Sequence, residues 1–201
     1  MRFKTKLQLS LVLAITCILG TFPTTNAFAY VTINNHVLNG GVGNYGYSNR
    51  YYFINASASG YTSYIDTAMG NWVHTTSRLG TTTPISFLKT STQNSSVMDI
   101  YSANTYPASS GISGFTQMYL YQNTVNAFLS NWGWGKITIN YPVYSASSVW
   151  EHNHTIAHEM GHVMGLNENN SNTSSVMCQT SSGCTVSAPM LDDCNGINYL
   201  Y

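Results

Sequence analysis

Charge is what this chain has least of. Charged residues make up 7% of its 201 residues, with 7 Lys and Arg against 7 Asp and Glu. Three of the basic ones, Arg2, Lys4 and Lys6, stand together at the N-terminus. That scarcity excludes a basic surface for nucleic acid or for an anionic membrane. Proline is also sparse, and no proline-rich or charged linker and no repeat of solenoid length divides the chain. A long hydrophobic run is missing too. The apolar stretch from Leu7 to Gly20 falls short of the roughly 20 residues a membrane span needs. With the basic start before it and Ala27-Phe28-Ala29 after it, residues 1–29 have the form of a secretory signal cleaved before Tyr30. The expectation is an exported, extracellular protein with no membrane contact once the signal is gone, and with residues 30–201 forming one domain. Disorder is excluded by a hydrophobic fraction of 43%.

Cysteine is scarce as well. Cys17 lies in the discarded segment, which leaves Cys178, Cys184 and Cys194. An odd number in an exported chain permits one disulfide and one thiol. The short Gln-Thr-Ser-Ser-Gly loop between Cys178 and Cys184 predicts that these two pair; the alternative is that all three are small buried hydrophobes. Cys194 is expected in a helix with Leu191, Ile197 and Tyr201 on one face.

What is present has a clear order. Residues 30–57, rich in Gly, Asn and Tyr, suggest irregular or short-stranded structure. From Tyr61, apolar residues recur at helical spacing (Ile65, Ala68, Met69, Trp72, Val73), and Gly80 marks the expected helix end. His74 beside this stripe reads as a surface or supporting histidine. Strands are predicted at Pro84–Thr90, Ser96–Ser102, Ile112–Tyr121 and Lys136–Tyr141, where β-branched and aromatic residues alternate with turn formers. Ser148-Val149-Trp150-Glu151 fits a capping box, so a second long helix is predicted from about Val149 to Leu166.

That helix carries the chemistry. His158-Glu159-Met160-Gly161-His162 places two imidazoles on one helical face with a glutamate beside the first. Given six His and glutamate only at positions 151, 159 and 168, such a pattern arises by chance about 0.003 times in a chain of this length. Histidine pairs at this spacing bind zinc, and an adjacent carboxylate can take a proton from water at the metal. The interleaved residues Ile156, Ala157, Met160, Val163, Met164 and Leu166 are apolar, so this is no solvated surface helix. A helix segment alone rarely supplies three tetrahedral ligands. His154, one turn before His158, is thus a weaker candidate for the metal, and with His152 is better suited to a helix-start or supporting contact.

Gly165 and the residues after it extend the pattern to His-Glu-x-x-His-x-x-Gly-x-x-Glu, and Ser174-Ser175-Val176-Met177 follows. In this the chain resembles the metzincin metallopeptidases, and among them the matrixin-like group, whose motif is completed by a third histidine and a methionine turn. The resemblance covers most of residues 30–201 loosely and is specific from about Trp150 onward. It implies an α+β fold: a single domain with a twisted, mostly parallel sheet, an edge strand bordering the cleft, long helices including the zinc helix, a Met-turn and a C-terminal helix. It also implies one catalytic zinc held by His158, His162 and the residue at the third position. That residue is Glu168 here, and carboxylate oxygen is a competent zinc ligand; Asn167 is a weak second choice. Met177 would form the floor beneath the ligands and Glu159 would act as the base. Family features are also missing: residues 30–57 hold no cysteine for a blocking propeptide, and Gln179 stands where astacin-like relatives place a tyrosine. Asp66 and Asp99 are the only acidic residues from Tyr30 to Trp150, so calcium sites are not expected.

The function these residues predict is a secreted, monomeric zinc endopeptidase acting on protein or peptide substrates, with Ile112–Tyr121 as the candidate strand for binding them. Two alternatives share the motif. One is a secreted binding or adhesion module with structural zinc, for which Glu159 would have no task; the other is a zinc amidase acting on cell-wall peptides.

Overall fold

The computed structural model describes residues 30–201; the predicted signal segment and Cys17 lie outside the described residues. The regular elements in chain order are β1 (Arg50–Ile54), α1 (Thr62–Val73), α2 (Thr75–Leu79), β2 (Phe87–Thr90), β3 (Met98–Ala103), β4 (Gly114–Leu120), β5 (Asn123–Thr124), β6 (Trp134–Asn140), α3 (Tyr141–Tyr144), α4 (Val149–Val163) and α5 (Leu191–Leu200). Six strands form one sheet in the order β2-β1-β3-β6-β4-β5. The first four in that order are parallel, and β4 and β5 join antiparallel. This is the α+β, mostly parallel arrangement that the resemblance implies.

The pleat sorts the strand residues. Met98 and Ile100 of β3 and Ile137 and Ile139 of β6 alternate onto one face and are fully buried, against Ile65, Met69 and Trp72 of α1 and Ile156, Met160 and Val163 of α4. Two indoles fix the central helix, since burying an aromatic polar handle requires a partner. Trp72 Nε1 donates to the Ala157 carbonyl at 3.0 Å. Trp132 Nε1 donates to the Val163 carbonyl at 2.9 Å. Close approach is needed at Gly135, where a Cβ would lie 2.6 Å from Val163 Cγ2.

Three expectations are corrected. The helix predicted from Tyr61 to Gly80 is broken at His74, whose ψ of 38° leaves the helical region; the break turns Thr75 inward, where its hydroxyl lies 3.3 Å from that of Thr83. Gly80, at φ 70°, ends α2. The Cys178–Cys184 disulfide is absent: all three described cysteines are free. Cys184 Sγ is instead directed at the Val186 carbonyl, 3.2 Å away, and Cys178 Sγ at the Gln179 carbonyl, at 3.5 Å. The short loop brings the two side chains within hydrogen-bonding reach of each other, but both remain thiols. In α5 the buried set is Asp192, Asp193, Cys194, Gly196 and Ile197, whereas Leu191 is exposed. Two carboxylates take the inward positions because polar donors await them: Asp192 accepts from Asn169 Nδ2 at 2.9 Å and Asn172 Nδ2 at 3.1 Å, and Asp193 from Ser175 and two backbone N–H groups.

Candidate metal centre

Helix α4 begins as predicted. Ser148 Oγ accepts from the Glu151 N–H, and Glu151 Oε2 accepts from the Ser148 N–H at 2.7 Å. It ends in a Schellman motif: the Leu166 N–H reaches the Gly161 carbonyl and the Gly165 N–H the His162 carbonyl, each at 3.0 Å. Gly165 has φ 97°, and a Cβ there would press on Leu200 Cδ1 at 2.8 Å. The reversal carries Glu168 back over the helix.

As a result His158, His162 and Glu168 come together, with one donor atom from each within 4.8 Å of the others. Glu168 Oε1 lies 3.3 Å from His158 Nε2 and 3.4 Å from His162 Nε2. Both imidazoles are oriented from behind. His158 Nδ1 donates to the Val176 carbonyl and His162 Nδ1 to the Leu166 carbonyl, each at 2.9 Å. With Nδ1 committed to a carbonyl, each ring turns its Nε2 toward Glu168, where it donates while protonated and offers a lone pair once the proton leaves. Burial opposes charge on His158, but Glu168 and then Glu159 overcome it and raise this histidine to about 9. Burial likewise opposes ionisation of Glu168, yet the two histidines hold it at about 2. The other oxygen, Glu168 Oε2, is buried with no hydrogen-bond partner. Two oriented Nε2 atoms, a carboxylate that stays ionised and an orphaned oxygen form a donor set that fits zinc.

His158 and Glu159, with Thr155 and His154, face a cleft of about 540 Å³ whose opposite wall is Ile112–Thr116. Glu159 Oε2 accepts from Thr116 Oγ1 at 2.6 Å. Gly114 leaves room for Glu159; a Cβ there would lie 3.3 Å from Glu159 Cγ. His154 also lines the cleft but stands outside the three-residue cluster. Its Nδ1 donates to the Val186 carbonyl, its ring stacks on Trp150, and burial, then repulsion from His158, lowers it to about 4. His152 is buried with Nε2 2.6 Å from the Tyr144 carbonyl, and His74 is exposed.

Met177 is buried beneath α4, and a Cβ added at Gly161, between the two histidines, would overlap its sulfur. The turn bearing Met177 is held from α5. Asp193 accepts from Ser175 Oγ at 2.5 Å, from the Val176 N–H at 3.0 Å and from the Met190 N–H at 2.7 Å. Since the Val176 carbonyl orients His158, this contact reaches the cluster. Nothing local in the sequence points to Asp193, nor to Thr116 or Asn140. Asn140, fully buried, accepts from the N–H groups of Thr105 and Tyr106 and donates to the Tyr106 and Ile112 carbonyls. It thereby staples the loop that forms the far cleft wall.

No family model and no curated protein matches the chain. One solved structure of myroilysin aligns with a TM-score of 0.46 at 12% identity over 88% of this chain and 96% of that one. Another aligns with a TM-score of 0.41 at 15% identity over 67% of this chain, which spans 55% of the length of that protein. Among the described residues, no helix is long and apolar enough to cross a membrane.

Proposed function

We propose that this protein is a secreted, zinc-dependent endopeptidase of the metzincin type, acting as a monomer on protein or peptide substrates. The observation that carries this reading is the convergence of His158, His162 and Glu168 at one end of a cleft where Glu159 faces a strand edge. The matrixin-like order of the motifs, through to Met177, supports it.

His158, His162 and Glu168 would hold one zinc ion, which when bound supplies Lewis acidity toward water and toward a substrate carbonyl. Glu159 is the general base. Thr116 occupies its Oε2, so Oε1, on the Gly114 side, is the oxygen that accepts the proton of the attacking water and later returns it to the leaving nitrogen. Strand β4 pairs with β6 along one edge, and its pairing with β5 is confined to Tyr119 and Leu120. The other edge from Gly114 to Gln117 thus offers N–H and C=O groups to an extended peptide.

A structural zinc would make no use of a carboxylate oriented beside the first histidine, and this favours the enzyme over a binding module. The test is incubation of the purified chain with casein and with peptidoglycan, with and without a zinc chelator. Chelator-sensitive release of new amino termini from casein is the expected result. Release from peptidoglycan alone would replace the endopeptidase with a cell-wall amidase, and no hydrolysis of either would favour a binding protein.

A further inference from the structure

The two histidines of the cluster are each locked by a bond from Nδ1 to a carbonyl, but Glu168 has three rotatable side-chain bonds and sits on a loop. A carboxylate so placed loses more freedom on binding a metal unless something orients it first. Among the described residues, one side chain besides the histidines donates to it: Gln179 Nε2 lies 3.3 Å from Glu168 Oε1. Gln179 is itself held at two points by Asn170. The Gln179 backbone N–H donates to Asn170 Oδ1 at 2.8 Å, and Asn170 Nδ2 donates to Gln179 Oε1 at 3.0 Å. With its carbonyl oxygen taken, the amide can present only N–H to the cluster. The Asn169 N–H donates to the Met177 carbonyl at 2.8 Å, a fourth bond between the same two segments.

We infer that Gln179, aimed by Asn170, is a positioning residue for Glu168: it presets the carboxylate for the metal and couples the ligand loop to the segment after Met177. This rests on the zinc reading above. Its chemical signature is specific, because the amide acts on the metal through Glu168 and bonds neither histidine.

The test is zinc affinity, measured by competition with a chromophoric chelator at fixed pH, together with the melting temperature of the metal-stripped protein. Gln179→Met keeps the length and removes the donor. It should weaken zinc binding by about 10-fold or more, the range for losing an orienting partner of a metal ligand, with the stripped protein melting as the parent does. Asn170→Ala should shift affinity in the same direction by less. Parent-like zinc affinity in Gln179→Met, in a parent that binds zinc, overturns the inference and leaves the zinc reading standing. A parent that binds no zinc overturns both. An equal loss of affinity and of stripped-protein stability would make Gln179 a fold residue and overturns the inference too.

Discussion

Thr116 Oγ1 and Glu159 Oε2 are 2.6 Å apart, so the edge strand that walls the cleft also holds the proposed base. Thr116→Val keeps the shape and removes the hydroxyl. A hydrogen bond to a charged group contributes about 1.5–3 kcal/mol, so kcat should fall by roughly 10-fold or more with zinc content unchanged. Glu159→Gln removes the proposed base itself and should cost at least about 100-fold in rate, with the melting temperature nearly that of the parent. Steady-state hydrolysis of a peptide substrate by the two variants checks both. Parent-like turnover by Glu159→Gln would refute the mechanism.

Replacing Glu168 by Ala should release zinc, and Glu168→His should restore a three-histidine site that retains it. Metal analysis after gel filtration distinguishes the two. Retention of metal and activity by Glu168→Ala would shift the third ligand elsewhere.

Zinc affinity should depend on pH in a defined direction. Glu168, at about 2, is ionised throughout the neutral range, whereas His158, raised to about 9, carries a proton below that value. That proton must leave before Nε2 can bind metal, so affinity rises with pH up to about 9 and falls as pH drops, by about tenfold per pH unit for one proton released. Chelator competition at pH 6 and pH 8 measures the slope. A flat profile would mean that His158 holds no competing proton.

Gly161→Ala opposes two effects of known size. Ala favours an interior helical position over Gly by about 0.5–1 kcal/mol, but overfilling a packed core costs about 1–3 kcal/mol. Because the new methyl meets Met177 and Trp72, the second effect wins, and thermal unfolding should show net destabilisation. A rise in melting temperature would show that Met177 yields freely.

Asn140→Ala deletes four hydrogen bonds to the loop that walls the cleft. The loop residues it bonds are exposed, so each lost bond costs about 0.5–1.5 kcal/mol rather than a full burial penalty. The variant should be less stable and show a raised KM, as the rim at Ile112 and Ser113 loosens; an unchanged KM in folded protein would separate this rim from substrate binding.

The sequence by itself determined the helix of the site. Its start at Ser148 and Glu151, the shared face of His158 and His162, and the turn at Gly165 involve partners within one or two turns of one another, where helical geometry alone places them. The same holds for the β4 and β6 strands, whose residue types and punctuation mark them to within two residues. Pairing was another matter. The order β2-β1-β3-β6-β4-β5 joins strands far apart in the chain, and no local pattern encodes it. Thr116 and Glu159 are 43 residues apart, and Val176 and Asp193 are 17; an isolated Thr or Asp looks the same in sequence whether it faces solvent or holds a base. The loop between Cys178 and Cys184 suggested a bond that the turn geometry does not make, and the helical period of α5 suggested an inward Leu191 where buried donors select Asp193. Local periodicity fixes which residues share a face. Tertiary packing decides which face is buried and which distant atoms satisfy it, because those energies exist only once the segments meet.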